Sequence, residues 1–298
     1  MRIFVTGATG FIGSAIVKEL LAGGHSVLGM ARSDAGVQAL RDAGASVHRA
    51  TLEDLPRLRE GAAQADAVIH TAFVHDFSRF QENCALDRAA ITAMGEVLAG
   101  SQRPLIVTSG LALLAEGRLA TEDDLPVPVS DHYPRASEHT AAALAERGVR
   151  TIVVRLPQVH DTQKQGFVSY AIRIARDKGR SAYLQDGRNR WAATHVSDVA
   201  RLYRLALEKN RPGARYHAVA EEGVPLRAIA EAIGKQLALP VVSLAPEESA
   251  AHFGWFGRFI AHDLTGSSQK TREELGWTPT GPTLLSDLAH LDLSGAAQ

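Results

Sequence analysis

Short apolar runs alternate with stretches of helical spacing through the first half of the chain. Ile3 to Thr6 is an apolar run that stops at Gly7. Phe11 to Ala22 follows, with Ile12, Ala15, Ile16, Glu19 and Leu20 near the spacing of one helix face. Gly23-Gly24 closes it, since glycine takes the left-handed cap without strain. The same alternation predicts strands at Ser26 to Met30, Ser46 to Arg49, Ala67 to His70, Leu105 to Thr108 and Thr151 to Arg155. It predicts helices at Asp34 to Asp42, within about Phe80 to Leu98, and at Pro134 to Arg147, the last closed by Gly148. Such β-α repetition requires a parallel sheet with helices on both faces, a doubly wound α/β fold. Ligands of such sheets sit beyond the carboxyl ends of the strands, so the strand-to-helix turns carry the informative motifs.

After about His160 the rhythm changes. Helical patterns run from Phe167 to Asp177, Val199 to Glu208, Leu226 to Leu237 and Lys270 to Leu275, with a short strand at Tyr216 to Val219. The expected organisation is a dinucleotide-binding domain over residues 1–160, rejoined by segments within 190–222, and a smaller C-terminal lobe over 161–298 that caps the ligand edge. Gly295 to Gln298 reads as a frayed tail.

The most specific motif is Gly7-Ala8-Thr9-Gly10-Phe11-Ile12-Gly13, in the first strand-to-helix turn. Glycines there allow a tight turn, close approach of backbone to a pyrophosphate, and close packing of helix on strand. With Thr6 in front, the form resembles the extended and atypical branches of the short-chain dehydrogenase/reductase superfamily, which include the NAD-dependent epimerases and dehydratases. The resemblance continues through Val68-Ile69-His70-Thr71-Ala72, Val107-Thr108-Ser109, Val154-Arg155-Leu156-Pro157, His195-Val196-Ser197-Asp198-Val199-Ala200 and Glu274-Leu275-Gly276-Trp277-Thr278-Pro279, nearly the whole chain. It implies a Rossmann fold, an NAD or NADP cofactor, and a substrate held under the C-terminal lobe. It places the cofactor against Gly7, Thr9, Gly10, Phe11, Ile12, Gly13, Arg32, Ser33, Leu52, Thr71, Ala72, Phe73 and Pro157.

At the end of the second strand, Met30-Ala31-Arg32-Ser33, no carboxylate precedes Asp34 to meet a ribose 2′-hydroxyl. Arg32 offers a planar cation for a 2′-phosphate and Ser33 a hydroxyl, which favours NADP, with NAD the alternative. Ser33 or Asp34 is equally suited to cap the next helix. Where the family often has an adenine-contacting Asp, this chain has Ala50-Thr51-Leu52, so that contact is weaker or made differently.

In the resembling family a Tyr exchanges the proton, a Lys four residues later lowers its pKa, and a Ser or Thr holds the substrate oxygen. Free tyrosine titrates near ~10, too high for a base at neutral pH, hence the lysine. Tyr133 stands 24 residues after Ser109, but position 137 is serine. Aligning Ser137-Glu138 with the family's Ser-Lys pair puts Pro134 at the Tyr position, so neither alignment supplies a lysine. The usual position of the Ser or Thr falls on Gly110, and Ser109 stands next to it. Three readings remain: Tyr133 works without a lysine; another group serves, among His75, Asp76, His132, His160 and His195; or the chain binds the cofactor without chemistry. Tyr133, Ser109 and His160, the last just past the sixth strand, are the catalytic candidates.

Asp198 reads as a helix cap, and Phe167, Trp191, Trp255 and Phe256 as core or as walls of an apolar pocket. There is no Gly-x-Ser-x-Gly elbow, no Gly-Lys-Ser/Thr phosphate loop and no His-Glu-x-x-His pair, so hydrolase, nucleotide-hydrolysing and metal readings have no support. Lys and Arg total 32 against 33 Asp and Glu, a formal net charge of −1, which does not suit nucleic acid. One cysteine, Cys84, excludes an internal disulfide. No apolar run reaches the about 18 residues of a membrane span, and the chain enters a strand at once, leaving no room for a signal peptide. A cytoplasmic protein is expected, without nucleic-acid or membrane partners. The leading activity is hydride transfer between NADP and a carbonyl or alcohol of a small, uncharged substrate. A sugar-nucleotide epimerase or dehydratase would need Arg173, Arg176, Arg188 and Arg190 to converge on a diphosphate. A non-catalytic NAD(P) sensor is the third reading. The resemblance also implies a homodimer, paired through the helices near Phe80 to Leu98 and Pro134 to Arg147, where Ala141-Ala142-Ala143-Leu144-Ala145 permits close approach.

Overall fold

The structure is a computed structural model that describes residues 1–292; the tail expected at Gly295 to Gln298 lies outside the described residues. The first half runs β1 (Arg2–Thr6), α1 (Phe11–Ala22), β2 (Ser26–Ala31), α2 (Asp34–Asp42), β3 (Ser46–Arg49), α3 (Leu55–Ala63), β4 (Ala67–His70), α4 (Phe80–Leu98), β5 (Pro104–Gly110), α5 (Ser137–Glu146) and β6 (Arg150–Leu156). The second half runs β7 (Gln158–His160), α6 (Val168–Lys178), β8 (Ser181–Leu184), β9 (Arg190–His195), α7 (Val196–Lys209), β10 (Arg215–His217), β11 (Glu221–Pro225), α8 (Leu226–Leu237), β12 (Val241–Leu244), α9 (Ser249–Phe253), α10 (Gly257–Ile260), α11 (Gln269–Leu275) and α12 (Leu284–Ala289).

A parallel sheet of seven strands has the order β10-β6-β5-β4-β1-β2-β3. This is the doubly wound Rossmann arrangement expected from the pattern. All four residues of β4 are buried, which is why it reads as a continuous apolar run. Helices α1 and α7 cover one face, with Ile16, Val17 and Leu20 against Val199 and Tyr203. Helices α3, α4 and α5 cover the other, with Leu58, Met94 and Leu144 in one apolar layer. Thus α7 and β10 return to the main sheet while α6, α8, α9, α10 and α12 share a separate apolar cluster around Trp191, Phe256 and Leu288. Two small sheets, β11-β9-β7 and β12-β8, accompany that lobe.

Local chemistry sets the boundaries. The Ser33 hydroxyl accepts from the Gly36 N–H at 3.2 Å and starts α2. Asp54 accepts from the Arg57 N–H at 3.2 Å and starts α3, a polar helix whose weak apolar pattern hid it from sequence reading. Helix α5 begins at Ser137 rather than Pro134. Backbone bonds between Ser130 and Tyr133, at 3.0 and 3.1 Å, close a turn that keeps Tyr133 and Pro134 outside the helix. Among the described residues no helix is long and apolar enough to cross a membrane.

Candidate active site

The strand order reverses between β1 and β4, where Thr6 pairs with His70, and a crevice opens at their carboxyl ends. Gly7 takes φ +66°, and a Cβ there would stand 2.8 Å from both the Ala72 nitrogen and Thr71 Oγ1. A Cβ on Gly13 would lie 2.0 Å from the Gly7 carbonyl oxygen. Neither position has room for a side chain, so the glycines are required by close approach of α1 to β1 and of the turn to the segment after β4. That segment is tied down: Thr71 Oγ1 donates to the Thr6 carbonyl at 2.8 Å, and the Ala72 N–H to Thr6 Oγ1 at 3.4 Å. Gly10 precedes α1 and no side chain caps the helix. An uncapped helix start beside a glycine cradle is what a pyrophosphate needs, so Gly7, Thr9, Gly10, Phe11, Ile12 and Gly13 fit a dinucleotide.

At the far end of β2, Arg32 is exposed and makes no hydrogen bond or ion pair among the described residues. Asp34 is held by Arg49 at 2.6 Å. The Asp34 carboxylate is therefore already paired, while Arg32 is available. Ser33 accepts the α2 cap bond and keeps its hydroxyl proton to donate. Leu52 is buried in the layer of Met30 and Leu58. Phe73 and Pro157 are half-buried beyond β4 and β6.

Beyond β5 a cleft is lined by Ser109, Gly110, Tyr133, Arg135, Ser137 and Glu138, with Leu114, Pro126, Val127 and His139 around them. The structure thus brings Ser109 and Tyr133 to one cavity. Because Tyr133 is in a turn, positions 133 and 137 do not share a helix face, and the i, i+4 geometry is absent. The Ser137 hydroxyl instead donates to buried Asp87 at 2.6 Å. Burial pushes the Tyr133 phenol above its ordinary pKa of 10, against the pull of the Arg135 cation. A Cβ on Gly110 would meet nothing within 4 Å, so the cleft is open at that point.

The sequence model of the NAD dependent epimerase/dehydratase family matches residues 3–220. The chain belongs to this family. It is 50% identical over 293 residues to an uncharacterized protein of Schizosaccharomyces pombe, covering 97% of this chain and 98% of the relative. It is 27% identical to the 4-hydroxy-2-methyl-3-oxo-4-farnesyl-3,4-dihydroquinoline-1-oxide ketoreductase of Stigmatella aurantiaca, over 93% and 92% of the two chains. Its fold matches the crystal structure of UDP-glucuronic acid 4-epimerase from Bacillus cereus in complex with UDP-glucuronic acid and NAD, with a TM-score of 0.77 at 19% identity, covering 99% of each chain.

In this member of the epimerase/dehydratase family, the remaining candidates are placed elsewhere. His160 is fully buried between the sheet and the lobe, its Nδ1 bonded to Asp287 of α12 at 2.7 Å and its ring 5.8 Å from that of His195. Its Nε2 has no partner, and Glu221 is 3.9 Å away. Burial lowers the His160 pKa, and Asp287 pulls it back up. His195 caps α7, Asp76 accepts from the Ser78 N–H at 3.0 Å, and His132 is exposed on its loop. Asp198, expected to cap α7, instead lies buried inside its first turn and accepts from the Thr280 and Gly281 N–H groups at 3.0 and 2.8 Å. The cap position falls to His195 because α7 starts three residues earlier than its apolar spacing suggests.

The loop after β4 and the start of α4 carry Phe73, His75, Phe77 and Phe80 toward the lobe, where Phe77 stacks on Trp255 at 4.7 Å and meets Tyr170 and Phe167 at 6.0 and 6.2 Å. Trp191 and Phe256 belong to the core, while Trp255 is 40% exposed. Desolvation by the surrounding rings and then the Arg135 charge lower the pKa of His75, although its side chain is exposed. Sequence reading missed Arg135 and Asp87. Neither has a motif: Arg135 stands two residues after Tyr133, and only the fold brings Asp87 to Ser137.

Proposed function

We propose that this protein is an NAD(P)-dependent oxidoreductase acting on a carbonyl or alcohol of a small, largely apolar substrate. Residues 1–160, with the returning segments within 190–222, form the dinucleotide unit, and the rest of 161–298 covers the substrate. The observation that carries this reading is that the glycine cradle and the Ser109–Tyr133 cleft open on the same edge of one sheet. A bound nicotinamide would supply or accept the hydride. Tyr133 gives a proton to the substrate oxygen in reduction and takes it back in oxidation, and Ser109 donates a hydrogen bond to that oxygen. The Phe77–Trp255 contact keeps water from the covered side.

The aromatic cluster of Phe77, Tyr170 and Trp255 supports an apolar substrate, and the placement of the arginines speaks against a nucleotide sugar. Arg188 pairs with Asp186 at 3.2 Å, Arg190 with Asp263 at 3.8 Å, and Arg173 lies 4.9 Å over Tyr170, so these cations are spent on separate neighbours instead of converging on a diphosphate. The ketoreductase relative points the same way. The second reading, epimerisation or dehydration in which hydride leaves and returns to one substrate, is favoured by the family description and by the likeness to the epimerase, whose NAD also supports NAD here. The unpaired Arg32 supports NADP.

Calorimetric titration with NADPH and NADH, followed by assay of a ketone panel and of UDP-sugars, separates these versions. Net consumption of reduced cofactor with an apolar ketone is expected. Conversion of a UDP-sugar with no net cofactor change would install the second reading, and tight cofactor binding with no turnover would make the protein a sensor. We also propose a homodimer through α4 and α5, whose outer face exposes Ala142, Ala143 and Ala145. Light scattering at micromolar concentration tests it, and a monomer mass removes it.

A further inference from the structure

The missing lysine leaves open which cation serves Tyr133, and a buried hydrogen-bonded chain answers it. Thr6 Oγ1 bonds His70 Nδ1 at 2.8 Å, His70 Nε2 bonds Asp87 Oδ1 at 3.0 Å, and Ser137 Oγ donates to Asp87 Oδ2 at 2.6 Å. Every member is at least nine-tenths buried. The chain crosses from the glycine-turn strand through β4 and α4 to the start of α5. Burial works against the Asp87 carboxylate, but His70, Arg135 and Ser137 together hold its pKa below the ordinary carboxylate value. A charged Asp87 therefore lies in the interior with both oxygens engaged.

Arg135 closes the open end of this chain. Its Nε donates to Ser137 Oγ at 3.2 Å, its Nη2 to the Thr108 carbonyl at 3.4 Å, and its guanidinium lies 4.7 Å over the Phe73 ring. It is thus held from α5, from β5 and from the loop after β4, on the wall of the cleft that holds Tyr133. Comparison with Arg155 shows what is unusual. Arg155 is fully buried and neutralised by Glu138 at 2.7 Å. Arg135 has no carboxylate within ion-pair distance among the described residues, and Asp87 reaches it only through Ser137. A long side chain ordered on three sides without a counter-ion keeps its field for the cleft.

We propose that Arg135 supplies the positive charge which the resembling family draws from lysine, stabilising the Tyr133 phenolate, with Ser137 and Asp87 as its positioning residues. The inference rests on the hydride-transfer reading given above. Guanidinium does not lose its proton in proteins, so Arg135 cannot relay one. The proton that Tyr133 takes from substrate must leave through the cleft to water, and Tyr133 should be the only titrating group in the alkaline rate profile.

The test begins without cofactor. The phenolate absorbance of Tyr133 is isolated by subtracting the titration of Tyr133→Phe from that of the intact chain. Replacing Arg135 with Met should raise the Tyr133 pKa by about 1–3 units, the usual effect of removing a neighbouring opposite charge, whereas Arg135→Lys should restore most of it. Ser137→Ala, which keeps the cation but frees it from α5, should shift the titration in the same direction by less, and it serves if Arg135→Met does not fold. With an alcohol as substrate, Arg135→Met should lower the oxidative kcat by about tenfold to a thousandfold, the change in phenolate that such a shift gives, and move the alkaline limb upward, while reduction, which uses the phenol, should change less. An unmoved phenolate titration in folded Arg135→Met and Ser137→Ala overturns the proposal. Failure of the intact protein to bind NAD(P) would instead sink the functional reading while leaving the cofactor-free titration interpretable.

Discussion

At the β1 end of the sheet's ligand edge the candidate binding groups are backbone atoms, and at the β5 end they are side chains on a loop. Gly7 and Gly13 are fixed by spaces of 2.8 and 2.0 Å that no other residue fits. Tyr133, Arg135 and Ser137 reach their places from a turn and the first residue of α5, held by bonds to Ser130, Thr108 and Asp87. The difference teaches how each end records its function. A steric demand on the backbone permits one residue type at one position and leaves a motif. A demand for a positive charge near a phenol permits any long cation that can reach, from several positions, and leaves none.

The largest effects should come from breaking the two ends separately. Gly13→Ala puts a methyl against the Gly7 carbonyl, so the turn must shift; overpacking of this kind costs about 1–3 kcal/mol of stability, and NAD(P) binding should be lost in calorimetry. Tyr133→Phe should leave cofactor affinity unchanged and lower turnover by about 10²–10⁴-fold. Because burial raises the Tyr133 pKa, the remaining oxidative rate of the intact enzyme should climb with pH, while reduction, which uses the phenol, should depend on pH less. Loss of cofactor affinity in Tyr133→Phe, or unchanged turnover, would show that the two ends are not separable in this way.

This contrast also explains what was legible. The strands β3 and β4 and the helices α1, α2, α4 and α8 stand where apolar period and glycine stops put them, since tertiary packing and local pattern agree there. Helix α3 escaped because it is mostly polar and rests on the Asp54 cap and the Pro in its first turn. The start of α5 was misplaced because the Ser130–Tyr133 turn is held by backbone bonds that no side-chain pattern announces. Strands β8, β9, β11 and β12 and helices α9, α10 and α12 lie after His160, where no regular strand–helix alternation marks them, and these helices are too short to show a period. The glycine turn was readable residue by residue. The Thr6–His70–Asp87–Ser137–Arg135 chain was not, because its members are brought together only by the sheet order.

A smaller effect sharpens the β1 end. If Arg32 meets a 2′-phosphate, its charge-assisted bonds contribute about 1.5–3 kcal/mol, or roughly tenfold to a hundredfold in affinity. Arg32→Ala should weaken NADPH by that factor and leave NADH nearly unchanged. Equal losses for both would remove Arg32 as the discriminator and favour NAD.

Acid should loosen the β5 end first. Arg155 holds the loop that carries Tyr133, through the Asp124 carbonyl at 2.8 Å and Glu138, and it bonds His217 Nε2 at 3.2 Å. Burial, and then the Arg155 charge, push the His217 pKa down to about 3. In the unfolded chain it titrates near ~6.5. Between these values the unfolded chain binds a proton that the native one refuses. Stability is therefore full above ~6.5 and falls on acidification, by up to about 1.4 kcal/mol per unit from this group. His160, lowered by burial, adds in the same direction. Denaturant melts across this range should show that slope, and His217→Gln should flatten it. A His217→Gln profile as steep as that of the intact protein would assign the acid sensitivity elsewhere.

The smallest expected effect tests whether the β5 end has room for the group its family usually carries. Gly110 occupies the position where the resembling enzymes place a Ser or Thr, and a Cβ there meets nothing within 4 Å. Serine therefore enters without overpacking, and its hydroxyl would point into the cleft beside Ser109 and Tyr133. One added neutral hydrogen bond to a substrate oxygen contributes about 0.5–1.5 kcal/mol, so Gly110→Ser should raise kcat/KM by about twofold to tenfold. Replacing Ser109 with Ala should cost a similar factor in the intact enzyme and less in the Gly110→Ser background, because the new hydroxyl takes over the oxygen. That non-additivity is the decisive readout. Additive effects of the two changes, with melting temperatures unaltered, would mean that positions 109 and 110 do not face the same atom, and would return the substrate oxygen to Tyr133 alone.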